Sequence, residues 1–314
     1  MHFFTDLIGQ EQAVEFLEGA IRFQRLAPAY LFVGPSGIGR RLAAKSFALS
    51  ILMQKQSLSQ LEVIRERVVA QNHPDLLVVE PTYQHQGKFF TAAQLVETGV
   101  KRKTLPLIRL EQIRQICQFI TRAPLESTHS IVIIEDVHLM NEFAANGLLK
   151  TLEEPVHGIF ILIAKSLQSI LPTLISRCQY IPFSRLSRSD MLNVLQSSGH
   201  GEILLYEDIL TLAQGSPGEA IDSYAQYQAI SIDLRMRLVD LPQGALEALK
   251  LAQVIDSELE LEKQLWLVSY LQQKYWQKYR NRKIIESLEF VRRYLTNYVQ
   301  PRLVWEDFYL RNQL

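Results

Sequence analysis

Gly34-Pro35-Ser36-Gly37-Ile38-Gly39-Arg40-Arg41 has the outline of a phosphate-binding loop, in which Gly, four residues, Gly, Lys and then Ser or Thr follow in order. Gly34, Gly37 and Gly39 supply the backbone freedom that lets N–H groups and a helix N-terminus surround phosphate. The Lys that steadies the β- and γ-phosphates is Arg40 here, and the hydroxyl that holds Mg²⁺ is Arg41. The cradle is kept and the metal ligand is lost. Such a loop predicts little or no hydrolysis and leaves nucleotide binding open.

A second group of chemical residues lies at 131–136, Ile-Val-Ile-Ile-Glu-Asp. A buried strand ending in two acids presents one to Mg²⁺ and another to the attacking water. The usual order is Asp then Glu; Glu135 and Asp136 reverse it. The exchange moves each carboxylate by roughly 1.5 Å, one bond length along the side chain. A displacement of about 1 Å is enough to cost on the order of 100-fold in rate. The plain alternative is a solvated acidic strand end, and the missing hydroxyl adds weight to it.

These groups need elements to hold them. Residues 29–33 form a short apolar run that reads as a buried strand, and 41–48 read as a helix without Gly or Pro. Strand, glycine loop and helix is the order such a loop requires. Further strand candidates fall at 76–79, 131–135, 159–164 and 180–182, with helical stretches between them. The alternation predicts an α/β unit with a parallel sheet and flanking helices. Beyond about residue 184 only helical periodicity remains, punctuated at 215–218 and 241–244. The expected domains are 1–184, a small helical one at 185–240 and a larger helical one at 241–314.

Composition narrows the classes. The chain has 314 residues, zero formal net charge and two cysteines, Cys117 and Cys178. A protein held to DNA by many phosphate contacts of its own carries a basic surplus, which is missing here. The cysteine usage fits a reducing compartment, hence the cytoplasm. No run reaches the roughly 20 apolar residues of a membrane helix. The start shows no basic segment followed by a long apolar one, so no signal peptide is expected.

Two further stretches decide the reading. Asn146-Gly147-Leu148-Leu149-Lys150-Thr151-Leu152-Glu153-Glu154-Pro155 follows the acidic strand, and Ser176-Arg177-Cys178 follows the next one. Together with the altered loop, they resemble the clamp-loader branch of the AAA+ ATPases. His73-Pro74-Asp75 and the ending from Asn297 to Glu306 are similar to members of that branch. The resemblance covers nearly the whole chain and is strongest at 134–178. It implies an AAA+ module of the P-loop NTPase type, with 185–240 as its helical lid and 241–314 as part of a helical collar. It implies a bacterial DNA polymerase III component, a nucleotidyltransferase assembly, in a hetero-pentamer with catalytic tau/gamma and delta subunits. The sliding clamp and primed DNA would be reached through the complex. Arg177, flanked by Ser176 and Cys178, would be an arginine finger offered to a neighbour's ATP site. An arginine supplied in trans contributes about 10³–10⁵ in rate.

Three departures accompany the resemblance. Many members of this type carry four cysteines forming a zinc module ahead of the His-Pro-Asp segment; residues 48–72 have none, so no zinc is expected. Catalytic members sense nucleotide with an Arg in a Gly-Ser-x-Arg setting; Gly215-Ser216-Pro217-Gly218 places Gly218 there. Residues 84–104, with Lys88, Lys101, Arg102 and Lys103, match no motif. The C-terminal aromatics, from Trp266 to Trp305, are interleaved with basic residues, which invites a nucleic-acid reading. Their helical spacing favours a core or subunit interface instead. Two alternatives stand beside this reading: an ATP-hydrolysing clamp-loader motor subunit, which Arg40, Arg41 and Gly218 oppose, and a non-replicative AAA+ adaptor.

Overall fold

A computed structural model describes residues 3–85, 87–98, 106–153 and 158–313. Lys101, Arg102, Lys103, Glu154 and Pro155, singled out above, lie outside the described residues. The chain divides into two compact units, 1–187 and 188–314.

In the first unit, α1 (Glu11–Arg22) precedes β1 (Ala29–Val33), α2 (Arg40–Leu52), α3 (Leu61–Val69) and β2 (Leu76–Val79). An excursion follows, made of β3 (Tyr83–His85), β4 (Lys88–Phe90) and α4 (Ala92–Thr98). Then come α5 (Leu110–Ile120), β5 (Ser130–Ile134), α6 (Glu142–Glu153), β6 (Gly158–Ala164), α7 (Pro172–Ile175) and β7 (Gln179–Pro182). The five longer-range strands form one sheet in the order β2-β5-β6-β1-β7, with every pair parallel. Every residue of β1, β5 and β6 is buried. That is why these runs are continuously apolar rather than alternating: helices cover both faces of a parallel sheet. The register sets Val33 beside Ala164 and Pro182, and Ile134 beside Leu162 and Val79. The carboxyl ends of all five strands therefore meet at one edge, where ligands of open α/β sheets bind.

The segment 84–104 is, in its described part, a two-stranded hairpin and a short helix. Its base is closed by Thr82 and Leu107, which exchange backbone hydrogen bonds of 2.9 and 3.0 Å. The Arg109 guanidinium lies 4.8 Å over the Phe89 ring. His73-Pro74-Asp75 also gains a structural role. The buried Asp75 carboxylate accepts the N–H groups of Leu125, Glu126 and Ser127 at 2.7–2.8 Å and the Ser127 hydroxyl at 2.9 Å. His73 Nδ1 accepts the Asp75 N–H at 3.1 Å. Burial pushes the Asp75 carboxyl up, and these hydrogen bonds together bring it below its ordinary value.

The second unit is helical throughout its named long elements: α8 (Arg188–Ser197), α9 (Glu207–Ala213), α10 (Pro217–Gln228), α11 (Ile232–Arg237), α12 (Ala245–Glu258), α13 (Leu261–Tyr279), α14 (Arg282–Thr296) and α15 (Pro301–Arg311). The sequence suggested a division near 240. The structure carries one buried cluster across that point, with Ile230, Leu234 and Leu238 joined to Leu251, Leu271 and Trp305. Gly215-Ser216-Pro217-Gly218 starts α10. The Ser216 side chain accepts the Glu219 N–H at 3.2 Å and Pro217 takes the first helical position, the roles these residue types suit best. Residues 246–279 are two helices. Leu259 is extended between them, and its carbonyl accepts Gln264 Nε2 at 2.8 Å. The aromatics divide. Tyr275, Trp305 and Tyr309 are wholly buried, whereas Phe290, Tyr294 and Tyr298 are exposed.

Candidate functional site

The loop leaves β1 at the carboxyl edge of the sheet. Gly34 donates its N–H to the Ala164 carbonyl at 3.2 Å. A Cβ at Gly34 would stand 2.3 Å from the Phe183 carbonyl oxygen, so only glycine fits. Gly39 caps α2 with φ 101°, in the left-handed region, and a Cβ there would meet Leu7 Cδ1 at 2.7 Å. The buried Gln10 ties the loop down: its Nε2 donates to the carbonyls of Ile38 at 3.2 Å and Ser184 at 2.7 Å, and its Oε1 accepts the Ser184 N–H at 3.0 Å.

The two arginines point into the chain's own structure. Arg40 is 7% exposed and its Nη1 donates to the Ala164 carbonyl. Burial pushes its pKa down, against the pull of Asp136 and Glu135. Arg41 spans two carboxylates: its Nη2 pairs with Glu80 Oε1, and its Nε lies 2.6 Å from Glu135 Oε1. Two cations in the first turn of α2 oppose the helix dipole, at a cost of roughly 0.3–1 kcal/mol each. The facing carboxylates offset that cost, as phosphate would have done.

The Glu135 carboxyl is pushed up to about 7. Burial is the largest cause; Glu80 and Asp136 add to it, and Arg41 and Lys45 oppose it. Asp136 adopts a left-handed backbone, φ 47°, as the chain turns from β5 into a short 3₁₀ turn. Its Oδ1 lies 3.8 Å from His138 Nδ1. Burial holds the His138 imidazole below its ordinary pKa, and Lys165 and Arg40 act in the same direction against Asp136. The structure thus brings Gly34, Gly39, Arg40, Arg41, Glu135 and Asp136 together. Gly37 is exposed at the loop's outer turn, with φ 72°. Glu80 and Gln10 belong to the same site and escaped sequence reasoning. Glu80 had a signal: it is the first residue past an apolar strand of the sheet, as Glu135 is. Gln10 had none, because its partner Ser184 is 174 residues away.

Mg²⁺·ATP does not fit this donor set. The side chain at the metal-ligand position is a guanidinium, and it occupies the carboxylate that would share the metal. The side chain at the phosphate position is buried against a carbonyl.

Arg177 stands elsewhere. It follows α7 and precedes β7, whose first residue pairs with Tyr30 near the start of β1. The loop leaves β1 at its other end. Arg177 is therefore at the amino edge of the sheet, about 10 Å or more away along the strand rise. Its Nη1 donates to the Thr173 carbonyl at 3.0 Å and its Nη2 pairs with Glu153 at the end of α6. Ser176 Oγ donates to the same Thr173 carbonyl at 3.1 Å. Burial pushes the Cys178 thiol up to about 12, so it packs rather than reacts.

A five-stranded parallel sheet with a glycine loop at its carboxyl edge defines a P-loop NTPase-type module, joined here to a helical unit. The chain belongs to the DNA polymerase III delta-type subunits: a family model described as "DNA polymerase III, delta subunit" matches residues 9–187, and one described as "Cyanobacterial DNA polymerase III delta prime, C-terminal domain" matches residues 189–312. The two matches meet where the compact units divide. The chain is 31% identical to the DNA polymerase III subunit delta' of Bacillus subtilis (strain 168) over 231 residues, 72% of this chain and 64% of that protein. It is 29% identical to the tau subunit of the same organism over 237 residues, 74% of this chain and 38% of that one. The matched part is thus less than two thirds of these relatives' own length. A gamma subunit-related protein of Thermotoga maritima shares the fold at a TM-score of 0.54 and 15% identity, over 93% of this chain and 97% of that one.

Proposed function

We propose that this chain is a non-hydrolysing clamp-loader subunit of DNA polymerase III that completes a neighbouring subunit's ATP site with Arg177. The placement of Arg177 carries this reading. A half-exposed guanidinium at the sheet edge opposite the loop cannot serve its own site, yet it is free to meet a phosphate on another chain. The self-paired Arg41 supports the non-hydrolysing part. Catalytic tau/gamma subunits and a delta subunit would complete a hetero-pentamer in the cytoplasm. The sliding clamp and primed DNA would be bound by the assembly. Neither ATP nor zinc is required by this chain in the proposal. No helix among the described residues is long and apolar enough to cross a membrane.

The test is reconstitution with the partner subunits. Arg177→Ala leaves assembly intact and lowers clamp- and DNA-stimulated ATPase at the neighbour's site by about 10³-fold or more, since an arginine acting in trans contributes about 10³–10⁵. Unchanged ATPase in the assembled complex refutes the role. Magnesium-dependent ATP turnover by the isolated chain refutes the non-hydrolysing part.

A further inference from the structure

We infer that Glu153 is a positioning residue for Arg177, fixing the guanidinium at the subunit face before a neighbour's phosphate arrives; this rests on the reading just proposed. Glu153 is the last residue of α6, and Arg177 follows α7. Both sit at the amino edge of the sheet, since β6 begins five residues after Glu153 and β7 begins two after Arg177. The Arg177 fork is held from two sides, by the Thr173 carbonyl on Nη1 and the Glu153 carboxylate on Nη2. A guanidinium has five N–H donors. These two contacts leave the others for phosphate oxygens, so a phosphate can bind without displacing either holder.

Exposure decides what kind of contact this is. The Arg177 side chain is 36% exposed and that of Glu153 is 51% exposed. An ion pair that wet adds little to folding. What it does instead is remove rotamer freedom from a long side chain while the chain waits for its partner. Positioning of this kind shows as rate, because a group held in place pays less ordering entropy in the transition state. The Thr173 carbonyl alone fixes one nitrogen and leaves the plane of the fork free to turn. Glu153 fixes the plane.

The experiment uses the reconstituted loader with Glu153→Ala, Glu153→Gln and Arg177→Ala, each checked for assembly. Glu153→Ala lowers kcat of the stimulated ATPase by roughly 5- to 30-fold, the equivalent of about 1–2 kcal/mol of side-chain ordering. The KM for ATP stays within 2-fold, because the pocket that binds ATP belongs to the neighbour. Glu153→Gln keeps an acceptor oxygen and recovers most of the loss. The thermal midpoint of the isolated chain moves little in both variants. If Arg177→Ala lowers kcat and Glu153→Ala does not, the positioning role is wrong while the finger stands. A rise in kcat for Glu153→Ala is equally fatal, since it would make the carboxylate a competitor for the guanidinium. If Arg177→Ala itself changes nothing, the parent reading fails.

Discussion

Arg41→Ala tests whether the loop is neutralised from within. In the native chain Arg41 Nε lies 2.6 Å from Glu135 Oε1 and Nη2 pairs with Glu80. Charge centres about 4 Å apart attract by about 4 kcal/mol at an effective dielectric of 20. Arg41 is 51% exposed, and solvent reduces this to about 1–2 kcal/mol. The value depends on pH in a definite sense. Glu135 has a folded pKa of about 7, above its ordinary 4.5, so its contribution is fully present below 4.5 and is lost as pH rises through 7. At pH 6 the carboxyl is mostly protonated and has little need of Arg41. Removing the cation there relieves the α2 dipole and unpairs Glu80, two effects of about 0.5 kcal/mol and opposite sign. At pH 9 the native carboxylate is charged and paired, and in the variant it is charged and alone. The expected destabilisation is within about 0.5 kcal/mol of zero at pH 6 and about 1–2 kcal/mol at pH 9, or about 3–6 °C in the melting of a unit this size. Urea or thermal unfolding at both pH values measures it. An equal loss at pH 6 and pH 9 would mean that Arg41 acts by packing, and the charge argument would be wrong.

Asp75→Ala removes the acceptor of three backbone N–H groups and one hydroxyl and costs about 3 kcal/mol or more by urea unfolding; a loss under 1 kcal/mol would show that the 125–127 turn is held otherwise. Burial, against Asp75 and Glu126, keeps His73 below its ordinary pKa, so its contribution is present above about 6.5 and is lost as pH falls. His73→Gln accordingly flattens the stability slope between pH 7 and 5.5, and an unchanged slope refutes this. Gly34→Ala places a Cβ 2.3 Å from the Phe183 carbonyl and destabilises the first unit by about 3 kcal/mol, the upper end of ordinary overpacking; a soluble, equally stable variant would contradict the close approach.

Much of the first unit was legible because the fully buried parallel strands β1, β5 and β6 leave nearly unbroken apolar runs. With the partly buried β2 and β7, all five strands were visible, at 29–33, 76–79, 131–135, 159–164 and 180–182, to within one residue at either end. The hairpin at 83–90 was not, because its strands are three residues long and neither alternates clearly nor stays apolar. In the second unit, helical periodicity ran through Leu259 because a Leu there fits the pattern of either neighbouring helix. The break depends on Gln264 reaching back to its carbonyl, a side-chain contact that no period records. Among the aromatics, spacing showed that they shared helices but not which face each occupied. Trp305 is buried and bonds Gln264 Oε1 at 2.8 Å, while Phe290 is more than half exposed.

The loop shows why a partial motif needs to be read by position. Gly34 is fixed by the Phe183 carbonyl and Gly39 by a left-handed helix cap against Leu7, and both constraints persist with no phosphate in the account. The glycines therefore report the turn from β1 to α2. They do not discriminate a working site from a retired one. The next two positions do, because Lys and a hydroxyl have no packing reason to be there, and arginine at both changes what the surrounding acids can hold. Arg41 draws Glu135 and Glu80 into one ion-paired group, and Arg40 is drawn onto the Ala164 carbonyl. Replacing Arg41 alone by Thr would then leave two carboxylates, Glu80 and Glu135, short of a cation. The two arginines are thus tied to different groups, Arg41 to the Glu80 and Glu135 carboxylates and Arg40 to the Ala164 carbonyl, so a change at one position does not free the other.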